Sequence, residues 1–164
     1  MPRPSQDGLE WKETVFGLVP QWTREPAIEA IEDICRQQLN IPPEDLCAVA
    51  FYASGQFNKL YTVEWTGGTL IMRVSLPVCP RYKTEGEVTT LRWVYDNTQI
   101  PVSKVISFDR SNGNEIGFEW ILMEFVEGTS AHKRWRTMSM EQKIAFTKQI
   151  ARFQVILLLF SSKA

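Results

Sequence analysis

The sequence predicts an α+β fold: a five-stranded antiparallel sheet with one helix after the third strand, plus an N-terminal helix and a long C-terminal helix. Three features carry that expectation. The stretch from Phe51 to Leu76, FYASGQFNKLYTVEWTGGTLIMRVSL, alternates as strand, tight loop, strand, tight turn and strand. Elsewhere, separate segments repeat apolar residues at the 3.6-residue period of a helix. Two further β-like runs, Lys104 to Phe108 and Ile116 to Phe125, flank the turn-forming Ser111-Asn112-Gly113-Asn114.

Residues 1–22 are irregular and dotted with proline, and Trp11, Val15, Phe16, Leu18 and Trp22 are available to pin them to a core. A helix follows from Thr23, with Thr23 as its cap and Pro26 in the first turn, where a missing N–H goes unused. Its apolar stripe is Ile28, Ile31, Ile34, Cys35 and Leu39, and Asn40 with Pro42-Pro43 ends it. Ala48 to Tyr52 forms the first strand. In the second, Leu60, Thr62 and Glu64 take one face and Tyr61, Val63 and Trp65 the other. Thr66-Gly67-Gly68 supplies a hairpin turn, and the apolar run Thr69 to Leu76, interrupted by Arg73 and Ser75, is the third strand.

Pro77-Val78-Cys79-Pro80 makes a non-helical link. A helix over 84–95 puts Glu87, Leu91 and Val94 on one face, whereas Glu85 lies ~160° from Glu87 at ~100° per residue and faces solvent. After the fourth and fifth strands, Gly128 lets the chain change direction. The last helix opens on Ser139-x-x-Gln142, a capping box, and carries Phe146, Ile150, Phe153, Leu157 and Phe160 along one stripe. Beyond Gln154 apolar residues surround it, so this end requires burial on every side.

Length and composition set outer limits. A chain of 164 residues holds one respectable core, and six Trp with nine Phe exclude disorder throughout. A net charge of −1 and a pI of about 5.9 give no electrostatic case for nucleic-acid binding. The three cysteines, Cys35, Cys47 and Cys79, lack C-x-x-C spacing and read as free thiols in a reducing compartment; with His132 the single histidine, a zinc site is not expected. The first residues contain no apolar signal region, and no run reaches the ~18 apolar residues of a membrane span. The expectation is therefore a soluble, cytoplasmic protein without a membrane partner. It divides into an N-terminal extension and helix (1–44), a sheet-and-helix lobe (45–128) and a linker with the start of further helices (129–164).

Arg73 is the residue with chemistry to explain. A charge in so apolar a strand needs a partner or a bound anion to offset its desolvation. Glu87, on the apolar face of the next helix, is the carboxylate placed to reach it; a plain structural ion pair is the bland alternative. Lys133-Arg134-Trp135-Arg136 reads as a solvated loop before a helix, and His132 as an exposed loop residue.

A strand cation, a carboxylate on the following helix and a small-residue turn between the first two strands resemble the nucleotide-binding lobe of the protein-kinase-like fold. The wording is closest to the aminoglycoside phosphotransferase family, in particular its fungal phosphotransferase-enzyme branch. The matching stretches are Gly55-Gln56-Phe57-Asn58-Lys59-Leu60-Tyr61, Leu70-Ile71-Met72-Arg73-Val74 and Tyr82-Lys83-Thr84-Glu85-Gly86-Glu87-Val88. Further on come Ile100-Pro101-Val102-Ser103-Lys104-Val105, Asn114 to Glu124, and Trp135, so the resemblance spans roughly residues 45–160.

That resemblance implies an N-terminal lobe that binds ATP. Ser54, Gly55, Gln56, Phe57 and Asn58 would form the phosphate loop, Arg73 the strand cation and Glu87 its partner. Glu124, Phe125 and Val126 would be the hinge whose backbone meets the adenine edge, with Ile71 and Met123 as apolar walls. Arginine in place of the lysine of protein kinases keeps electrostatic anchoring, as a fork rather than a point charge.

The family places its catalytic Asp in an H-G-D type loop, followed by a metal-binding Asp, and this sequence contains neither: His132 is followed by Lys133-Arg134, and Phe108-Asp109 lies in a strand. Magnesium is thus expected only for full-length relatives, and no catalytic residue or metal ligand is assigned. The chain looks like the first half of such an enzyme, as a truncated isoform, a decayed copy or a mis-spliced gene model. Three functions stay open: the nucleotide-holding lobe of a small-molecule phosphotransferase with unknown acceptor, a scaffold module that associates through its last helix, or a non-functional fragment.

Overall fold

The computed structural model describes residues 6–161, with side chains through Leu159. The elements run β1 (Leu9–Thr14), β2 (Gly17–Trp22), α1 (Ile28–Leu39), β3 (Cys47–Ser54), β4 (Asn58–Trp65), β5 (Gly68–Ser75), α2 (Tyr82–Asn97), β6 (Val105–Asp109), β7 (Glu119–Glu124), α3 (Ala131–Arg134) and α4 (Met140–Ser161). The expected five-stranded antiparallel sheet is present in the order β3-β4-β5-β7-β6. Its last strand in sequence is therefore internal, paired with both β5 and β6. That position accounts for the apolar run Trp120 to Met123, which is buried throughout.

The N-terminal segment corrects the expectation of irregular chain. Leu9 to Trp22 forms an antiparallel hairpin, β1 with β2, tolerating Pro20 because a two-stranded sheet has only edge strands. Thr23 caps no helix; its N–H donates to the Gly8 carbonyl at 3.1 Å. Helix α1 starts only after Ala27, whose extended backbone (φ −70°, ψ 126°) breaks from the helix, so Pro26 lies before the first turn. Asn40 ends α1 as expected, in the left-handed region at φ 54°.

The sheet has two differently packed faces. Residues directly opposite in register share a face, so Tyr61 with Met72 and Val63 with Leu70 point one way, toward Ile31, Ile34 and Cys35 of α1. Ile116, Phe118 and Trp120 join this larger cluster, and Trp22 stacks on Phe118 at 5.0 Å between ring centroids. The Arg24 guanidinium also lies over the Phe118 ring, at 4.2 Å, and donates to the Ile116 and Gly117 carbonyls at 3.2 and 3.0 Å. The hairpin and α1 thus share one core with the sheet. The opposite face carries a smaller cluster, Ile71, Val88, Val105, Ile121 and Met123, under α2.

Other boundaries shift for local reasons. Thr66-Gly67 is the expected two-residue turn, with Gly68 at φ +119°. Ser111 to Asn114 is not a tight hairpin but part of a longer connection. There Asn114 Nδ2 donates to Asp109, Ser111 and Phe118 oxygens, and its Oδ1 accepts from Gly117 N–H. The connection consumes Ile116 to Phe118, so β7 begins at Glu119. The capping box of α4 is formed: Ser139 Oγ accepts from Gln142 N–H at 3.2 Å, and Gln142 Oε1 from Ser139 N–H at 2.9 Å. Of the exposed basic run before it, Lys133 and Arg134 end the short helix α3, while Trp135 and Arg136 lie in the turn that follows. Phe160, the last member of the expected stripe, lies outside the described side chains.

Gly8 sits at φ +82°, and a Cβ there would run into the Phe118 ring. Gly8→Ala should therefore cost ~1–3 kcal/mol of stability, from strain and overpacking together; chemical denaturation against the parent measures it. A second expectation concerns alkali. Burial pushes the Cys35 thiol up to about 12 from its ordinary 9.0, with Cys47 and Glu32 adding to the effect, and pushes the Tyr61 phenol up to about 12, with Glu25 adding. Both groups keep their protons in the folded chain beyond the pH at which the unfolded chain releases them. Their stabilisation is complete below about pH 9 and is lost as the pH climbs toward about 12. Thermal melting across that range should show the loss, and Cys35→Ala should reduce it.

Candidate functional site

Arg73 lies mid-strand in β5, opposite Leu60 of β4 and Ile121 of β7, on the α2 side of the sheet. Its guanidinium meets the Glu87 carboxylate through Nη2 and Oε2, the partner expected from helical phase. The Arg73 side chain is 17% exposed and that of Glu87 34%, so one end of the pair is sealed and the other is reached by solvent. Arg73 Nε is buried and has no hydrogen-bond partner among the described residues. Glu85 faces outward as expected, where it pairs with Arg110 at 2.7 Å.

Lys83, one helical turn before Glu87, joins them. Its Nζ donates to Asn58 Oδ1 at 2.9 Å, and Ser75 Oγ donates to the same oxygen at 3.0 Å. Asn58 thereby ties the start of β4 to the first turn of α2. Burial pushes the Lys83 amine down from its ordinary range; Glu87 opposes the shift and Arg73 reinforces it. Beneath lies Glu119, opposite Ser75 in register and almost fully buried, whose Oε1 accepts the Arg81 N–H at 2.6 Å. That contact holds Arg81 at φ +67°, an uncommon backbone for a non-glycine residue, at the mouth of α2. A cavity of about 470 Å³ opens here, lined by Arg73, Lys83, Gly86, Glu87, Thr90 and Leu91.

The turn before β4 is tight. Gly55 N–H donates to the Asn58 carbonyl at 2.9 Å, and Leu76 N–H to the Phe57 carbonyl at 2.8 Å. Strand β3 runs to Ser54, beyond the expected end at Tyr52, leaving only Gly55 to Phe57 as loop; Gln56 and Phe57 are exposed at its tip. Ile71 and Met123 stand opposite one another in register, side by side on the Arg73 face. Glu124 ends β7 with its N–H given to the Lys104 carbonyl at 3.0 Å, so only its carbonyl and the residues after it remain for a ligand. The Phe125 ring packs against the α2-side cluster and meets Tyr52 edge-on at 5.6 Å, while Val126 is exposed.

Arg73, Glu87 and Asn58 are thus brought to one place and Ile71 and Met123 to a neighbouring wall, while Gln56 and Val126 are exposed. Sequence reasoning missed Lys83, Ser75, Glu119 and Tyr52. Lys83 was findable, because it precedes Glu87 by four residues and so shares its helical face. Lys59 is the cation that does not belong: it points to the other face, over the Trp22 ring at 4.6 Å and against the Glu25 carboxylate.

A profile of the phosphotransferase enzyme family matches residues 48–160, most of the chain. The chain belongs to the phosphotransferase enzyme family. It is 31% identical over 115 residues to a subtelomeric hrmA-associated cluster protein of Aspergillus fumigatus, covering 68% of this chain and 23% of that protein. It is 28% identical over 123 residues to the mitochondrial protein altered inheritance of mitochondria 9 of Debaryomyces hansenii, covering 68% and 20%. A solved candidate aminoglycoside phosphotransferase from Ralstonia eutropha superposes with a TM-score of 0.46 at 25% identity, over 63% of this chain and 29% of that one. This family member therefore spans less than a quarter of the length of the curated relatives it matches. Its matched region begins in β3 and takes in Arg73, Lys83 and Glu87, whereas the hairpin and α1 precede it.

Breaking the central pair on one side should cost more than removing it whole. Glu87→Ala leaves a mostly buried guanidinium without its carboxylate and should destabilise by ~1–3 kcal/mol, discounted for the solvent reaching Glu87. Combining it with Arg73→Met should recover part of that loss. A double-mutant cycle from denaturant melts reads the coupling.

Proposed function

We propose that this chain supplies the ATP-binding lobe of a small-molecule phosphotransferase, with nucleotide held on the α2 face of the sheet. One observation supports the reading above the others. The Arg73–Glu87 pair sits on the wall of an open cavity, with a buried donor, Nε, left unpartnered. An ion pair that served only to staple helix to sheet would not require that space.

On this reading Ser54 to Asn58 covers the phosphates, Arg73 anchors them and Glu87 orients Arg73. Ile71 and Met123 flank the adenine, and the backbone of Glu124 to Val126 meets its edge. ATP, when bound, supplies the phosphoryl group; these residues bind and orient it. No group of three or more His, Cys, Asp or Glu able to hold a metal occurs among the described residues. No step of the transfer is given to this lobe. The acceptor is a small molecule whose identity nothing in these residues reads. The 164 residues alone should hold nucleotide without turning it over.

ATP in hundredfold excess over its Kd should raise stability by ~2.7 kcal/mol, read as a higher Tm, and Arg73→Met should lose most of that rise. An unchanged melt at saturating magnesium ATP would overturn the binding reading. Phosphate transfer to alcohols or amino sugars by the purified chain would overturn the binding-only part.

A second reading is favoured by α4. Ile144, Ile150, Val155, Leu157, Leu158 and Leu159 are all exposed, 69% in the case of Leu158. We propose that this helix associates with a protein partner or a second copy, and light scattering tests the self-association. No nucleic-acid or membrane role is proposed, and no helix among the described residues is long and apolar enough to cross a membrane. A cytoplasmic location accompanies the ATP-binding reading; fractionation of a tagged chain decides between it and the mitochondrial location in the name of the Debaryomyces relative.

A further inference from the structure

Two cations line the cavity beside α2, and they are in different electrostatic situations. Arg73 is matched by the Glu87 carboxylate. Lys83 forms no ion pair among the described residues, and its Nζ is given to a neutral amide oxygen, Asn58 Oδ1, at 2.9 Å. The carboxylates that face it are otherwise engaged: Glu87 with Arg73, and one oxygen of Glu119 with the Arg81 N–H. A half-buried ammonium on a neutral acceptor has a hydrogen bond but no counter-charge, so the cost of desolvating its charge is only partly offset. The wall it occupies is open rather than packed, since a cavity of about 470 Å³ lies in front of it.

We propose that Lys83 is the second anion-binding cation of this site, held in reserve by Asn58 and released to the terminal phosphates of a nucleoside triphosphate. The proposal rests on the nucleotide reading above and adds a residue and a mechanism to it. Arg73 stays with Glu87 as a fixed anchor. Lys83, on a flexible four-carbon stem, exchanges its amide partner for a phosphate oxygen. Because Asn58 follows the Gly55–Phe57 turn directly, the exchange also frees that turn from α2, so polyphosphate binding and turn position are linked. The depressed proton affinity of the Lys83 amine fits this picture, since a phosphate would supply a counter-charge.

A purely structural tie between turn and helix makes a different forecast, so the number of phosphates is the variable to test. Isothermal titration of the 164-residue chain with adenosine, ATP and inorganic tripolyphosphate, at low ionic strength, compares the parent with Lys83→Met and Lys83→Arg. Lys83→Met should weaken ATP and tripolyphosphate about ten-fold while leaving adenosine within about two-fold, and Lys83→Arg should restore most of the loss. Equal losses for all three ligands, or no loss, overturn the proposal and leave the nucleotide reading standing. A parent chain that binds neither ATP nor tripolyphosphate overturns both. Should Lys83→Met fail to melt cooperatively, the parent still decides. The Lys83 ε-methylene NMR signal, assigned by its disappearance in Lys83→Arg, should shift on tripolyphosphate addition, and a stationary signal overturns the proposal.

Discussion

A guanidinium in the middle of an apolar strand keeps its charge at tolerable cost only if a carboxylate is delivered to it, and here the delivery is made by the helix that follows. Arg73 fixes where α2 must lie, because Glu87 has to come within contact of β5. Once that is satisfied, Val88 settles into the cluster formed by Ile71, Ile121 and Met123, with Leu91 at its edge. The pair thus sets the docking of α2, and the docking sets the cavity. Replacing the pair with well-packed apolar residues would often serve stability as well, so stability alone does not explain it.

The two faces of the sheet divide the work. The face under α1 and the N-terminal hairpin holds the larger cluster and the buried aromatic residues, closed by Arg24 over Phe118 and by Lys59 over Trp22. The α2 face has fewer buried apolar residues and all the polar groups that converge on Asn58. A rigid, densely packed side behind an open, polar side suits a lobe that must present a few groups accurately to a ligand.

Much of the α2 face was legible because its signals are short-range. The period-2 alternation around Tyr61, the Gly67-Gly68 turn and the phase of Glu87 each follow from residues a few positions apart. The resemblance in wording between residues 45 and 160 then gave the family, and the matched profile bears it out. What could not be read was set by distant contacts. The hairpin β1–β2 exists because Trp22 finds Phe118, almost a hundred residues on, and proline-dotted sequence gave no period to betray it. The central place of β7 is likewise a matter of sheet order, which alternation cannot express. Lys83 was missed for a different reason: a lysine in the first turn of a helix looks like ordinary solvated surface.

The packing around Phe118 bears on how the molecule could be dissected. The family match begins at residue 48, yet the Phe118 ring at the back of the sheet is contacted by Trp22 and Arg24, and the buried Lys59 ammonium depends on Glu25 for its counter-charge. A fragment trimmed to the matched span would bare an aromatic surface and strand a charge in it. The matched span and the packed unit are therefore not the same length, since Trp22, Ile31, Ile34, Cys35 and Ile41 supply part of the hydrophobic wall against which the sheet packs.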